Sequence, residues 1–486
     1  MLFHSHVFLF VFLPLMLAGW FFFNHRKRYQ LAQGYLTGMS LWFYAYFNIR
    51  YLWVLLISCL VGYLFCLVFK ITEDHKRRKA ALIAGCIFHL GLLGYFKYSN
   101  FFLENVNALL KTDFTLLTVF LPLGISFYTF QQVAYLVDCY KKDAPVCTFF
   151  DYLTFMVYFP QILQGPILQY GELIPQLHEE KRRQFCAERF GKGLQRFVPG
   201  LAKKVLLADT LAAAVNFGYD NILLLDCPTA ILTAAGYLAE LYFDFSGYCD
   251  MAVGLGKMIG IELPENFDAP FHSGSVKEFW RRWHITLGRF FTRYVYIPLG
   301  GSRRGKIRTV QNTMIVFLLS GLWHGASWNF VFWGMLHGIG VAWDSLHLVE
   351  LPRKWMKKTV TFFYVCLAFV FFRAETIWQG FSLIREMLTL RWNGFLFRMG
   401  ESLEISELYV LTKGISMALP SFLPFVNLGL LLLLFAICFV VLAGKKAGTI
   451  VEEKVPGKKY AFCMAFLFVW SVLSMSGVST YIYFSF

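Results

Sequence analysis

Residues 320–329 read Ser-Gly-Leu-Trp-His-Gly-Ala-Ser-Trp-Asn and lie between two apolar runs, 310–322 and 328–347. Gly321, Gly325, Ala326 and Ser327 surround His324 with small side chains that let a second backbone or a ligand come close. What His324 means depends on whether these runs sit in water or in lipid. The composition answers that. Of 486 residues, 57% are hydrophobic, 19% aromatic and only 15% charged. A water-soluble domain of this length needs more polar residues to cover its surface, so the chain is expected in a membrane. An ionisable side chain there is expensive, and His324 becomes a candidate functional residue.

Outward from this stretch, further apolar runs occur at 7–23, 31–48, 51–69, 80–96, 115–138, 146–168, 196–218, 228–247, 359–373, 421–443 and 460–480. Some are too short or too polar to cross a bilayer simply. The expectation is an all-α polytopic membrane protein with about eleven transmembrane helices plus re-entrant helices. One membrane-embedded domain, 1–486, is the simplest division.

The formal net charge is +15. The basic residues fall in short runs beside apolar segments, at 26–28, 76–79, 303–308, 357–358 and 445–446. That is the pattern of cytoplasmic loops, and no basic stripe suggests nucleic acid. The alternation expects a first span that is not cleaved, with both ends of the chain outside. The middle, 145–300, carries Lys181, Lys203, Lys204, Arg281 and Arg282 and does not resolve into clean spans. Amphipathic or re-entrant helices are expected there. The 11 cysteines are scattered without a CxxC pair, so neither a metal site nor a disulfide framework is expected.

Few residues in such a chain can carry chemistry. A neutral imidazole at His324 could take a proton from a hydroxyl; a packing histidine is the bland alternative. His284 stands in Glu-Phe-Trp-Arg-Arg-Trp-His-Ile-Thr-Leu, 278–287. Arginine beside tryptophan can clamp phosphate, or simply anchor the chain at the membrane interface. His337 and His347 are expected to follow on the helix of His324. Asp244, Ser246 and Asp250 (242–250) and Gln161 and Gln164 (159–166) are polar in apolar context. They could line a cavity or tie helices together.

Several longer stretches resemble the membrane-bound O-acyltransferase family, in its alginate O-acetyltransferase-like branch. They are Leu-Pro-Leu-Gly-Ile-Ser-Phe-Tyr-Thr-Phe-Gln (121–131), Phe-Pro-Gln-Ile-Leu-Gln-Gly-Pro-Ile (159–167), Tyr-Phe-Asp-Phe-Ser-Gly-Tyr (242–248), Pro-Glu-Asn-Phe (264–267), 278–287, Tyr-Ile-Pro-Leu-Gly-Gly (296–301) and 321–330. The resemblance implies core motifs over 121–347, a central pore, and catalysis by His324 in Trp-His-Gly with His284 in Arg-Trp-His. It implies a cytoplasmic acyl thioester such as acetyl-CoA as donor and no bound cofactor. It further implies an extracytoplasmic polysaccharide as acceptor, often reached through a separate esterase-like (SGNH) partner, and a bacterial plasma membrane as the location. Arg281, Arg282, Asp244, Ser246, Gln164 and Asn329 are the candidates for holding the donor or lining the pore.

The last two runs, within 421–486, end in Tyr-Ile-Tyr-Phe-Ser-Phe, 481–486. This resembles the aromatic tail of the companion subunit of teichoic-acid D-alanylation systems. The resemblance implies an acyl relay on Tyr483, with Tyr481 the weaker candidate; an interfacial aromatic belt is the alternative. D-alanyl transfer from a carrier protein to a wall polymer, and a transporter or flippase, remain as rival functions. The absence of an internal repeat argues against the transporter.

Overall fold

The computed structural model describes residues 1–346, 351–403, 405–444, 457–475 and 481–482. His347 and Tyr483 lie outside the described residues. The described chain is helical, and its one β-type pairing is an isolated antiparallel bridge between Phe267 and Trp283. The chain packs into two compact units.

The first unit comprises 1–197, 251–265 and 292–294. It is built from α1 (Leu13–His25), α2 (Tyr29–Ala45), α3 (Ile49–Ile71), α4 (His75–Leu93), α5 (Ser99–Leu110), α6 (Ile125–Lys141), α7 (Phe149–Val157), α8 (Tyr170–His178), α9 (Glu180–Arg183) and most of α10 (Ala187–Ala202). Local signals set the helix starts. Asn48 accepts the Arg50 N–H and Asp74 accepts those of Lys76 and Arg77, satisfying first-turn donors that have no partner within the helix. A buried Arg78 gives two hydrogen bonds to the carbonyls of Phe69 and Tyr140, closing the ends of α3 and α6.

Two of the expected spans change here, whereas the run 31–48 is covered by one continuous helix, α2, of 17 residues. The run 115–138 is non-helical until Gly124, whose φ of +71° turns the chain into α6. A Cβ on Gly124 would sit 2.3 Å from the Ile162 carbonyl oxygen, so backbone crosses backbone at this point. The run 146–168 forms only the nine-residue α7 before the chain breaks into turns. Apolar content alone did not reveal these breaks, because buried irregular backbone is as apolar in sequence as a span.

The second unit comprises 198–250, 266–291 and 295–486. It holds α11 (Asp209–Asp220), the first 24 residues of α12 (Cys227–Ile259), α13 (Val276–Arg282), α14 (Ile285–Phe291), α15 (Gly305–His324), α16 (Trp328–Leu346), α17 (Lys354–Arg373), α18 (Ile377–Leu388), α19 (Phe395–Glu401), α20 (Tyr409–Ala418), α21 (Leu423–Ala443) and α22 (Lys458–Leu473). Helix α12 is 33 residues long, about 50 Å at 1.5 Å per residue. Asp226 caps it by accepting the Thr229 N–H and hydroxyl. Tyr237, Leu241 and Phe245 on α12 pack into one apolar cluster with Trp283, Trp333, Phe369 and Leu434.

Five described helical stretches are long and apolar enough to cross a membrane: Phe8–His25, Ile49–Ile71, His75–Leu110, Lys354–Arg373 and Pro420–Ala443. They coincide with expected runs, and the chain is a multi-pass membrane protein. Helices α15 and α16 form a close hairpin. Gly321 of α15 faces Gly334 of α16; a Cβ on Gly321 would fall 2.2 Å from the Phe330 carbonyl oxygen, and one on Gly334 2.3 Å from that of Phe317. In lipid, where exclusion of water does not drive helices together, such small-residue contacts hold them.

Candidate active site

His324 is the last residue of α15, at the tip of that hairpin. Gly325 leaves the helix in an extended conformation, and a three-residue break precedes α16. His337 therefore lies on the next helix, not on that of His324 as the sequence reading expected. The hairpin brings the two near each other through Trp333, whose ring stands edge-on to both, at 5.0 Å from His324 and 4.9 Å from His337. Phe372 at 5.2 Å and Trp323 at 4.9 Å complete an aromatic wall around a His324 that is 4% exposed.

His284 reaches the same place from a different corner. Helix α13 starts at Ser275, which accepts the Glu278 N–H, and it ends at Trp283. Trp283 is clamped among Phe267, Phe279 and Phe369 at 5.1–5.4 Å. His284 then takes φ +46°, the left-handed region, before α14 begins. For a residue with a Cβ this costs about 1 kcal/mol. Asn266 holds the turn in place. Its carbonyl oxygen accepts the Ile285 N–H at 3.0 Å, and its side-chain Oδ1 accepts the Thr286 N–H at 3.1 Å and the Thr286 hydroxyl at 3.0 Å.

Asn266 also sets the proton of the imidazole. A backbone N–H can only donate, so the atom facing Thr286 N is the amide oxygen. The same Oδ1 lies 3.2 Å from His284 Nδ1, and an oxygen acceptor there requires Nδ1 to carry the proton. Neutral His284 therefore has its lone pair on Nε2. His337 has the opposite tautomer: Trp280 Nε1 donates to its Nδ1 at 3.1 Å, placing its proton on Nε2.

The rings of His284 and His324 are 6.5 Å apart between centroids. At that spacing one small polar group could bridge a nitrogen of each ring. Phe245 of α12 closes the other side of His284 at 4.7 Å. The site is thus buried, aromatic-walled and furnished with imidazoles on separate elements.

The other candidate residues separate. Asp244 is fully buried and bonds Lys204 at 2.7 Å, while Lys204 also meets Asp209 at 2.8 Å. Ser246 and Asp250 take Lys203 at 3.5 and 2.7 Å. These tie the widened helical turn Lys203–Ala208 to α12. Asn329 donates to the Ala374 carbonyl, joining α16 to the end of α17. Arg282 is engaged by Glu278 at 2.9 Å, and Arg281 is exposed. Gln164, in the first unit, is completely buried, and its amide has no hydrogen-bond partner among the described residues. A cavity of about 610 Å³ in the second unit is lined by leucines with Lys203, Tyr242 and Glu407, and includes none of the histidines. Asn266 and His337 were not among the sequence candidates. Asn266 stands in the quoted 264–267 motif, with Glu265 and Asp268 close by, and nothing local set it apart from these other polar residues.

Residues 142–375 match the family model described as MBOAT, membrane-bound O-acyltransferase family. The chain is 38% identical over 426 residues to the peptidoglycan O-acetyltransferase of Helicobacter pylori, covering 80% of both chains. It is 38% identical over 406 residues to a "Probable alginate O-acetylase" of Pseudomonas aeruginosa, covering 80% of this chain and 75% of that one. It is 26% identical over 283 residues to the teichoic acid D-alanyltransferase of Bacillus subtilis, covering 52% and 69%.

Proposed function

The chain belongs to the membrane-bound O-acyltransferase family, and from that premise we propose that it moves an acetyl group across a bacterial plasma membrane. The chain is an O-acyltransferase; the donor in this proposal is cytoplasmic acetyl-CoA, and the acceptor is a hydroxyl of an extracytoplasmic envelope polysaccharide. A secreted esterase-like partner completes delivery. The observation that carries the reading is the meeting of His324, at a helix end, and His284, in a turn between two other helices, in one buried aromatic site.

In this mechanism His324 is the base. It takes the proton of the attacking hydroxyl as the oxygen adds to the thioester carbonyl. The carbon–sulfur bond then breaks, and the proton passes to the departing thiolate, which leaves as free CoA. His284 has its Nδ1 proton committed to Asn266 and is held in one orientation beside the reacting groups, while the hydroxyl's single proton goes to His324. Tyr483 is the first acceptor in this proposal. Its phenol forms an aryl ester, and a sugar hydroxyl then displaces the phenol, regenerating the tail. An aryl ester is the better donor because phenoxide leaves more readily than an alkoxide. The basic residues Arg281 and 303–308 attract the donor's phosphates.

The test is His324→Ala at unchanged protein level, read as O-acetyl content of the isolated envelope polymer and as transfer from labelled acetyl-CoA by purified protein. Loss of both is expected. Full acetylation in that variant would remove His324 from the mechanism.

A further inference from the structure

The buried charges of α12 contact a segment that the histidine site does not explain. Asp244 spends one carboxylate oxygen on Lys204, at 2.7 Å, and the other on the backbone N–H of Ile482, at 3.1 Å. Lys204 Nζ lies 4.8 Å from the centre of the Tyr481 ring. Tyr481 is wholly buried and meets Tyr248 edge-on at 5.1 Å. Ile482 packs against the apolar cluster around Trp283 and Trp333.

Asp244 and Tyr248 are four residues apart and share one face of α12. Phe245, next to Asp244, touches His284. The helix that receives residues 481–482 is therefore the helix that walls the histidines. A hydrogen bond to a charged carboxylate is stronger than one to a neutral acceptor, and a cation over a ring face adds to it when desolvated. A buried lysine with two carboxylates is a costly way to fasten helices alone, since uncharged packing serves as well or better. Here the second carboxylate oxygen is used to grip main chain, which fixes position independently of side-chain identity.

We propose that Lys204 and Asp244 form a seat for Tyr481 and Ile482, a positioning site that sets the register of the residue that follows, the relay tyrosine of the reading above. Its consequence for transfer rests on the relay reading above; the seat itself does not. The seat holds the chain by one backbone N–H, that of Ile482, and one ring, that of Tyr481.

The experiment is hydrogen–deuterium exchange of the purified full chain, with mass spectrometry of the peptide containing 481–486, beside measurement of acetyl on Tyr483. In the unmodified protein the Ile482 amide is protected. In Asp244→Ala its exchange rises tenfold or more, the range expected for losing a hydrogen bond to a charged group. The amides of α12 keep their protection, and acetyl on Tyr483 falls in step. Should Asp244→Ala fail to fold, Tyr481→Leu tests the same contact from the tail, which leaves the Lys204–Asp244 pair intact. It too should speed exchange at Ile482. Unchanged Ile482 exchange in a folded variant of either kind overturns the seat. Faster exchange with undiminished Tyr483 acetylation overturns the positioning role. No acetyl on Tyr483 in the unmodified protein, with protection still dependent on Asp244, leaves the seat standing and removes the relay.

Discussion

Replacing Asn266 with alanine separates a structural loss from a chemical one. The substitution deletes an oxygen that accepts three hydrogen bonds, from His284 Nδ1 at 3.2 Å, Thr286 N at 3.1 Å and Thr286 Oγ1 at 3.0 Å. The hydroxyl can rotate and the imidazole can move its proton, but the backbone N–H can do neither. One buried donor left unsatisfied costs about 1–3 kcal/mol, so the stability loss should be about 2 kcal/mol. The rate loss has a different origin. Without Asn266, His284 is no longer fixed in one tautomer, and its left-handed turn loses a clamp. A misplacement of order 1 Å at such a site costs about 100-fold in rate, so turnover should fall roughly 10- to 100-fold. Thr286→Val is the control: it removes one of the other two side-chain bonds and leaves the bond to His284. The assay is initial-rate transfer from labelled acetyl-CoA in purified protein, with thermal melting in parallel. The expectation is that Asn266→Ala lowers melting more than Thr286→Val, only Asn266→Ala slows turnover sharply, and Asn266→Asp, which keeps the acceptor, recovers most of the rate. Turnover of Asn266→Ala within twofold of the unmodified protein would refute the role assigned to Asn266.

Gly321→Val should lower stability by about 1–3 kcal/mol and transfer with it, because the new side chain must push the Phe330 carbonyl and part the hairpin carrying His324; thermal melting and transfer rate check this. Trp280→Phe removes the donor to a buried His337 and should cost about 1 kcal/mol in melting experiments. Asp226→Ala should cost about 1–2 kcal/mol through the lost cap of α12, with the transfer rate of folded protein unchanged. If that rate falls as well, α12 does more than hold its residues in place.

Composition and local motifs were enough for the solvent, the fold class and the first candidate histidine. Apolar fraction and run length are properties of composition, and a polar Trp-His-Gly between two such runs stands out without any contact being known. The sequence also carried the family, because the motifs at 121–131, 278–287 and 321–330 are contiguous stretches whose order along the chain is enough. It misread 115–138 and 146–168, where burial inside protein and burial in lipid leave the same apolar signature.

Which polar residues meet was legible only in the packed fold. Asp244 and Ser246 read as candidate pore lining, yet Lys204 and Lys203 engage them across a helix pair. Asn266 is one polar residue among Glu262, Glu265 and Asp268 until Thr286 and His284 turn toward it, 20 and 18 residues on. Ile482 meets Asp244 across 238 residues. Such contacts depend on how each helix is rotated about its axis and where its neighbours cross it, and packing sets both. Local periodicity supplies a face, and only the packed fold supplies the residue opposite it.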